Sequence, residues 1–309
     1  MRIAVVANPR ATATSADQRQ AVLAALTRRL PTASVELEET TERGHAIVLA
    51  ARAMRANVDV VLALGGDGTV NEVANGLLAA GVHPGVPVLG VLPAGSTNVV
   101  ARALGMPNDA MASVDVLVER LGADRKPAIT VGRAGRRWFL FSAGLGFDAA
   151  VTAAVERARR RGRAATHPLY VRTAVLQYGH LLTHAPMITM TRPDGSHVAN
   201  LHFVIVSNVN PWTYLGNRPV SPNPLTTLDD GLGVYARRAI GPVSMIRGLV
   251  DVLAANRTPS GRSVLVEHDV GELTLHADRP LPLEVDGDYL GEVSDVRLHA
   301  VSRALVVLR

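Results

Sequence analysis

Residues 58–64, "VDVVLAL", form an almost unbroken apolar run. Such a run suits a strand covered on both faces. It stops at Gly65, Gly66, Asp67, Gly68 and Thr69. Val70, Val73, Ala74, Leu77 and Leu78 then recur at helical spacing, while Asn71, Glu72 and Asn75 point elsewhere. A buried strand that enters a helix through a glycine-rich turn is a unit of a parallel α/β sheet. The first part of the chain keeps this rhythm. Residues 2–7, 34–38 and "PVLGVL" (87–92) read as strands. Helices are expected from Val22 to Leu30, over 46–57, from about Val70, through Leu104 and over 109–121. Ser15 and Gln18 have the spacing of a capping box.

Near "GADRKPA" the rhythm changes. Short strands follow: "AITVGR", "RWFLFSA", "PMITMTR", "HFVIVSN", "GLGVYARR", "SVLVEH", "ELTLHA", "LPLEVDG" and "VSRALVVL". "RPDGSH" is a hairpin turn, and helical stretches at about 148–183 and 243–255 interrupt the strands. The expected organisation is an α/β domain over 1–125 and a mainly antiparallel β domain over 126–309. The last strand could return to the first domain.

The glycine turn has two readings. Glycines at a strand's carboxyl end let a phosphate approach the backbone, and helix N-terminal N–H groups bind anions. Asp67 could then hold a metal ion or water beside the phosphates. Alternatively, Asp67 is only the cap of a tight turn. A second turn of the same kind, "PAGSTN" (93–98), follows the next apolar strand. Lys126 is the sole lysine, so a P-loop of the G-x-x-x-x-G-K-[ST] type is excluded. There is no cysteine, which excludes disulfides and thiolate zinc sites and fits a cytoplasmic location. No stretch approaches a membrane span. The net charge of +5 suits an anionic membrane, cofactor or nucleic acid and selects none of them.

Several motifs occur in a telling order: "NP" at 8–9, "GGDGTVNEV", "LPAGSTNVVARALGMP", "AGLGFDAAV", "SNVNP", "LDDGL" and "EVDGDYLG". In this the sequence resembles the diacylglycerol kinase catalytic family, and within it the bacterial soluble lipid kinases. The resemblance implies a nucleotide-binding α/β domain like those of NAD kinases and phosphofructokinases. It also implies a C-terminal β-sandwich, with the active site in the cleft between. ATP would be the co-substrate, Mg²⁺ the metal and a lipid hydroxyl the acceptor, with diacylglycerol as the leading substrate. The implied partners are ATP and a lipid at the membrane surface, not nucleic acid. A sheet-mediated homodimer is compatible with such a chain.

Residue by residue, the resemblance places Gly65, Gly66, Asp67, Gly68, Thr69, Val70 and Asn71 on nucleotide. Gly95 and Ser96 of the second turn join them. Asn8 would lie near the adenosine, and Thr40, or alternatively Thr41, matches an upstream threonine. A structural magnesium would take the carboxylate of Asp230 and the carbonyls of Thr227 and Leu232. The family's catalytic base is the glutamate of a "DGE" motif, and here that position is Asp288. Val99 stands where many bacterial members carry aspartate, which leaves Asp67 as the main acidic candidate of the first domain.

Other readings compete. NAD kinase shares "GGDGT", but "VDGDYLG" and "LDDGL" look like the lipid-kinase branch. A non-catalytic nucleotide or lipid sensor is a third reading, given Val99 and Asp288. "GLGFDA" (144–149) fits a dinucleotide fingerprint but lacks an acidic strand end about 20 residues on. The basic run "ERARRRGR" (156–163) and the helix pattern "PLYVRTAVLQYGHLL" could dock transiently on anionic lipid.

Overall fold

The computed structural model describes residues 1–124, 126–162, 167–185, 187–254 and 257–309. The chain divides into two units, Met1–Val131 with Ser302–Arg309, and Gly132–Val301.

The first unit is built on four parallel strands. In chain order its elements are β1 (Arg2–Ala7), α1 (Ala16–Arg29), β2 (Ser34–Glu39), α2 (His45–Arg55), β3 (Val60–Gly65), α3 (Asp67–Leu77), β4 (Val88–Pro93), α4 (Val99–Ala103) and α5 (Ala110–Leu121). The strand order is β2-β1-β3-β4, all parallel. Every residue of β3 is buried, as a strand covered on both faces must be. Ser15 caps α1 through a complete capping box with Gln18. The chain's end also belongs to this unit. Val307 bridges Leu89 in parallel, and the Leu308 N–H donates to the Leu89 carbonyl at 3.0 Å. Arg120 on α5 donates to the carbonyls of Leu104 and Leu308 at 2.9 and 3.2 Å.

The second unit takes its strands from β5 (Ala128–Ala134), β6 (Arg137–Phe139), β7 (Ser142–Leu145), β8 (Ile188–Thr191), β9 (His197–Leu201), β10 (Phe203–Ser207), β11 (Thr213–Leu215), β12 (Arg218–Val220), β13 (Leu232–Arg237), β14 (Val264–Val270), β15 (Glu272–Val285) and β16 (Asp288–Val306). Its helices are α6 (Phe147–Arg160), α7 (His167–Leu182) and α8 (Pro242–Leu253). The expected mainly antiparallel β domain is present, and among the described residues hydrogen bonding links ten of its strands into one sheet, with β11 and β12 as a separate hairpin. The reason is β15. Its first half pairs with β8 through residues 274–277, and its second half pairs with β7 through 283–285. "ELTLHA" and "LPLEVDG" are therefore one strand. Its register to β16 shifts between His276 and Leu281, where Pro280 offers no ladder N–H. Strands that change partner at a bend join two layers into one hydrogen-bonded surface. The buried side of that surface collects Phe139, Leu145, Met190, Val204, Val234, Leu275 and Leu298.

The expected helical stretch over 148–183 consists of α6 and α7. "GLGFDA" is no dinucleotide fold, because β7 is flanked on both sides by antiparallel strands. A Rossmann unit needs a parallel crossover there.

Candidate active site

A parallel sheet brings all its strand carboxyl ends to one edge, and ligands gather where the winding reverses. In the order β2-β1-β3-β4 that switch point lies between β1 and β3. Asn8 follows β1 and the glycine turn follows β3. The Asn8 amide donates to the Thr69 hydroxyl at 3.2 Å, and its backbone N–H donates to the Leu64 carbonyl at 2.9 Å. Thr40 follows β2, is buried, and its N–H donates to the Ala7 carbonyl at 2.8 Å. Thr41 instead is exposed and donates its N–H to the His45 ring. Four consecutive strand ends thus carry residues singled out in the sequence.

The two glycine turns pack against each other. A Cβ on Gly95 would stand 2.6 Å from the Gly66 Cα, and one on Gly65 would stand 2.5 Å from the Thr69 hydroxyl. These glycines are required by the protein's own packing. Gly68 differs, because a Cβ there meets nothing within 4 Å. Asn98 closes the second turn: the Gly95 N–H donates to its amide oxygen at 2.9 Å, and its NH₂ donates to the Gly95 carbonyl at 2.9 Å. Ser96 is left exposed. Val70 and Asn71 are buried, and the Asn75 amide donates to the Asn71 side chain at 3.1 Å. Asn71 and Asn75 thus belong to the interior, and Glu72 accepts from the N–H groups of Gly44 and Ala46 at the start of α2.

Asp67 is the first residue of α3, with Gly66 as its cap residue. Its carboxylate accepts the Val100 N–H at 3.0 Å. Burial raises its pKa, while the N–H groups of Val100, Val99 and Asn98 oppose that rise. Asp67 therefore neutralises the N-terminus of the neighbouring helix α4 rather than capping its own. Val99 is buried in the core and offers only its N–H to this arrangement.

In the second unit β15 turns into β16 through Asp286 and Gly287, both at positive φ (47° and 79°). That is the conformation of a two-residue hairpin loop of type I′. Asp286 is nearly fully buried. It accepts the N–H groups of Leu140, Phe141 and Ser142 at 2.7, 2.9 and 2.9 Å. Asp288, paired with Val285 across the turn, is partly exposed and meets Arg137 at 3.4 Å. Two aspartates two residues apart therefore have different surroundings. One accepts from three backbone donors, and the other meets the Arg137 guanidinium.

A buried carboxyl pair lies beside this turn. Glu284 accepts the Gly287 N–H at 2.8 Å and is hydrogen-bonded to Asp148 in the first turn of α6. Gly144 makes room, since a Cβ there would stand 2.9 Å from Asp148 and 3.0 Å from Glu284. Burial pushes the Asp148 carboxyl up to about 6. Burial and the Asp148 charge hold Glu284 well above the usual carboxylate range. Raised carboxyl pKa values mean that the folded chain binds more protons than the unfolded chain. Stability from this pair is thus greatest in acid and falls as pH rises from about 4 through 6 and above. Glu284→Gln keeps the acceptor for Gly287 and a donor for Asp148. Thermal melts between pH 4 and 8 are expected to fall less steeply with pH in that variant than in the wild type.

The sequence reading missed Asp286 as a clamp and missed this pair. A signal existed for Glu284, a lone carboxylate between the apolar Leu283 and Val285 at the end of β15, whereas Asp286 read only as a turn residue.

The third group of candidates lies in the loop before β13. The Thr227 hydroxyl donates to the Asp230 carboxylate at 2.6 Å, and both residues are exposed. Leu232 is buried at the start of β13. The donor set that the resemblance implies would be one carboxylate and two carbonyls, all hard oxygens of the kind magnesium takes.

The geometry thus defines a phosphate-friendly α/β unit and, separately, an antiparallel unit that carries carboxylates. Residues 2–127 match the sequence model of the diacylglycerol kinase catalytic domain. Over 122 residues, 37% of this chain, the sequence is 41% identical to diacylglycerol kinases of Staphylococcus aureus strains JH9 and Newman. That stretch spans 36% of those relatives' length. The crystal structure of a diacylglycerol kinase from Bacillus anthracis str. Sterne superimposes with a TM-score of 0.73 at 18% identity, covering 99% of this chain and 96% of that one. A second structure from the same organism gives a TM-score of 0.77 at the same identity and coverage. At that identity the likeness concerns the fold.

Proposed function

We propose that the chain is an ATP-dependent lipid kinase. It moves the γ-phosphoryl group of ATP to a lipid hydroxyl, with diacylglycerol as the leading acceptor and phosphatidic acid as the product. The observation that carries this reading is the pair of glycine turns, packed backbone to backbone at the switch-point edge of the parallel sheet.

In this reading Gly65–Asn71 and Gly95–Ser96 hold the phosphates by backbone and hydroxyl, with Asn8 and Thr40 on the adenosine side. Lysine plays no part, since Lys126 donates to the Ala123 carbonyl. Asp67 holds the α4 turn in place and keeps negative charge near the phosphates, where it can orient water. Asp288 accepts the proton of the lipid hydroxyl as its oxygen bonds to the γ-phosphorus and the bond to the β-phosphate oxygen breaks. Magnesium, when bound, supplies charge neutralisation on the phosphates, and a structural ion would be held by Thr227, Asp230 and Leu232. The acceptor must be met at a membrane, although no helix among the described residues is long and apolar enough to cross one.

Two glycine substitutions test the phosphate cradle. Gly68→Ala fills open space in a helix and is expected to leave thermal stability unchanged or slightly raised. It should raise the KM for ATP about tenfold by keeping phosphate off the backbone. Gly95→Ala collides with backbone and is expected to cost about 1–3 kcal/mol of stability. Equal ATP binding by Gly68→Ala and wild type would remove phosphate from this turn. Offering diacylglycerol, a sphingoid base, ceramide and NAD in turn with ATP and magnesium decides the acceptor.

A further inference from the structure

Helix α8 packs on the outer side of the second unit's sheet through one face only. Met245, Val252 and Leu253 join a cluster with Phe203, Ile205, Tyr235 and Ile240. The opposite face is apolar and bare. Val243 is 82% exposed, Ile246 65%, Leu249 54% and Val250 61%. Positions 243, 246 and 250 fall in one stripe of a helix. Aliphatic side chains so far exposed and so close together mark a contact surface.

The charges around the stripe say what covers it. From Ala236 to Arg262 there are five arginines, at 237, 238, 247, 257 and 262, and one carboxylate, Asp251. Asp251 is buried and lies 3.9 Å from Arg257. Arg237 is buried, donating to the Ser244 carbonyl at 2.7 Å. Arg238, Arg247 and Arg257 are exposed. The outward charges of this helix and its flanks are therefore positive. A second copy of the chain would set arginine against arginine, which is unfavourable at a contact. An anionic bilayer takes both halves of the pattern, since aliphatic side chains enter the acyl boundary and arginines meet headgroup phosphates.

We infer that α8 is a membrane-docking helix that lies in the interface of an anionic bilayer, with Val243, Ile246, Leu249 and Val250 inserted and Arg247 on headgroups. The inference deepens the lipid-kinase reading and rests on it for its purpose. Its test does not, because binding is measured on vesicles without acceptor lipid or ATP. The basic run at 157–161 and α7 lie in the same unit, and Tyr178 of α7 donates to the Ile240 carbonyl at 2.8 Å just before α8.

The experiment is co-sedimentation of the full chain with vesicles of phosphatidylcholine, alone or mixed with phosphatidylglycerol. The wild type is expected to partition onto the mixed vesicles and to be released by salt. The double variant Ile246→Glu, Val250→Glu should lose at least about tenfold in partitioning. Arg247→Glu should lose about tenfold, and only on the anionic vesicles. All these side chains are exposed, so thermal melts should match the wild type. Undiminished binding by the double variant would overturn the proposal, as would wild-type binding indifferent to phosphatidylglycerol. Absent vesicle binding with a dimer that the double variant dissolves would assign the face to self-association instead. Phosphoryl transfer to a short-chain acceptor in solution, measured alongside, should be unchanged in the double variant. Its absence in the wild type would count against the kinase reading, not against docking.

Discussion

Asp288→Asn is expected to lower the rate of phosphoryl transfer to a lipid hydroxyl by about 10²- to 10⁴-fold, the usual contribution of a positioned general base. The amide cannot take the proton, yet it fills the same space at the start of β16. The carboxylate of Asp288 has a partly exposed ion pair with Arg137, so its loss should cost little stability. ATP binding should persist, because nothing in the glycine turns changes. The expected pattern is a fall in kcat with a nearly unchanged KM for ATP and an unchanged melt. A lone fall in stability would assign Asp288 to the hairpin and not to the reaction.

Asp286→Ala is expected to do the opposite. Its carboxylate accepts three backbone N–H groups from Leu140, Phe141 and Ser142 in a buried place. Removing it leaves those donors without their acceptor, at about 1–3 kcal/mol for each. A loss of about 3 kcal/mol or more is a large part of the stability of an ordinary domain. Asp286→Asn keeps an acceptor oxygen and should lose less. Thermal and denaturant melts of the two variants measure this directly. Stability unchanged in Asp286→Ala would show that the three bonds carry no weight.

These paired predictions show what could be read from the sequence and what could not. The alternation of apolar runs with helical patterns before residue 125 marked the parallel sheet, because a strand buried on both faces has no polar residue to hide. The glycines were legible as a turn. What they pack against was not, since the contact between Gly66 and Gly95 joins two turns about thirty residues apart. Asp67 looked like a cap or a metal ligand. It turns out to serve the start of α4, a partnership between separate strand ends that one-dimensional spacing does not reveal. In the second unit, "ELTLHA" and "LPLEVDG" looked like two strands because proline and charge separate them. The chain continues as one strand, and the register shift absorbs the interruption. The carboxyl pair of Asp148 and Glu284 joins a helix start to a strand end, and only the fold brings them together. The bare face of α8 was hidden for another reason. An apolar helix stripe reads as core until the structure shows which side is covered.

The central claim is that this chain moves phosphate from ATP to a lipid hydroxyl. It is tested most directly by incubating the purified protein with magnesium, ATP labelled in the γ position and diacylglycerol in mixed micelles, then separating the lipids. The account predicts label in phosphatidic acid with the wild type and almost none with Asp288→Asn. ATP that binds normally while no lipid becomes labelled, or label that passes to NAD instead, would contradict it.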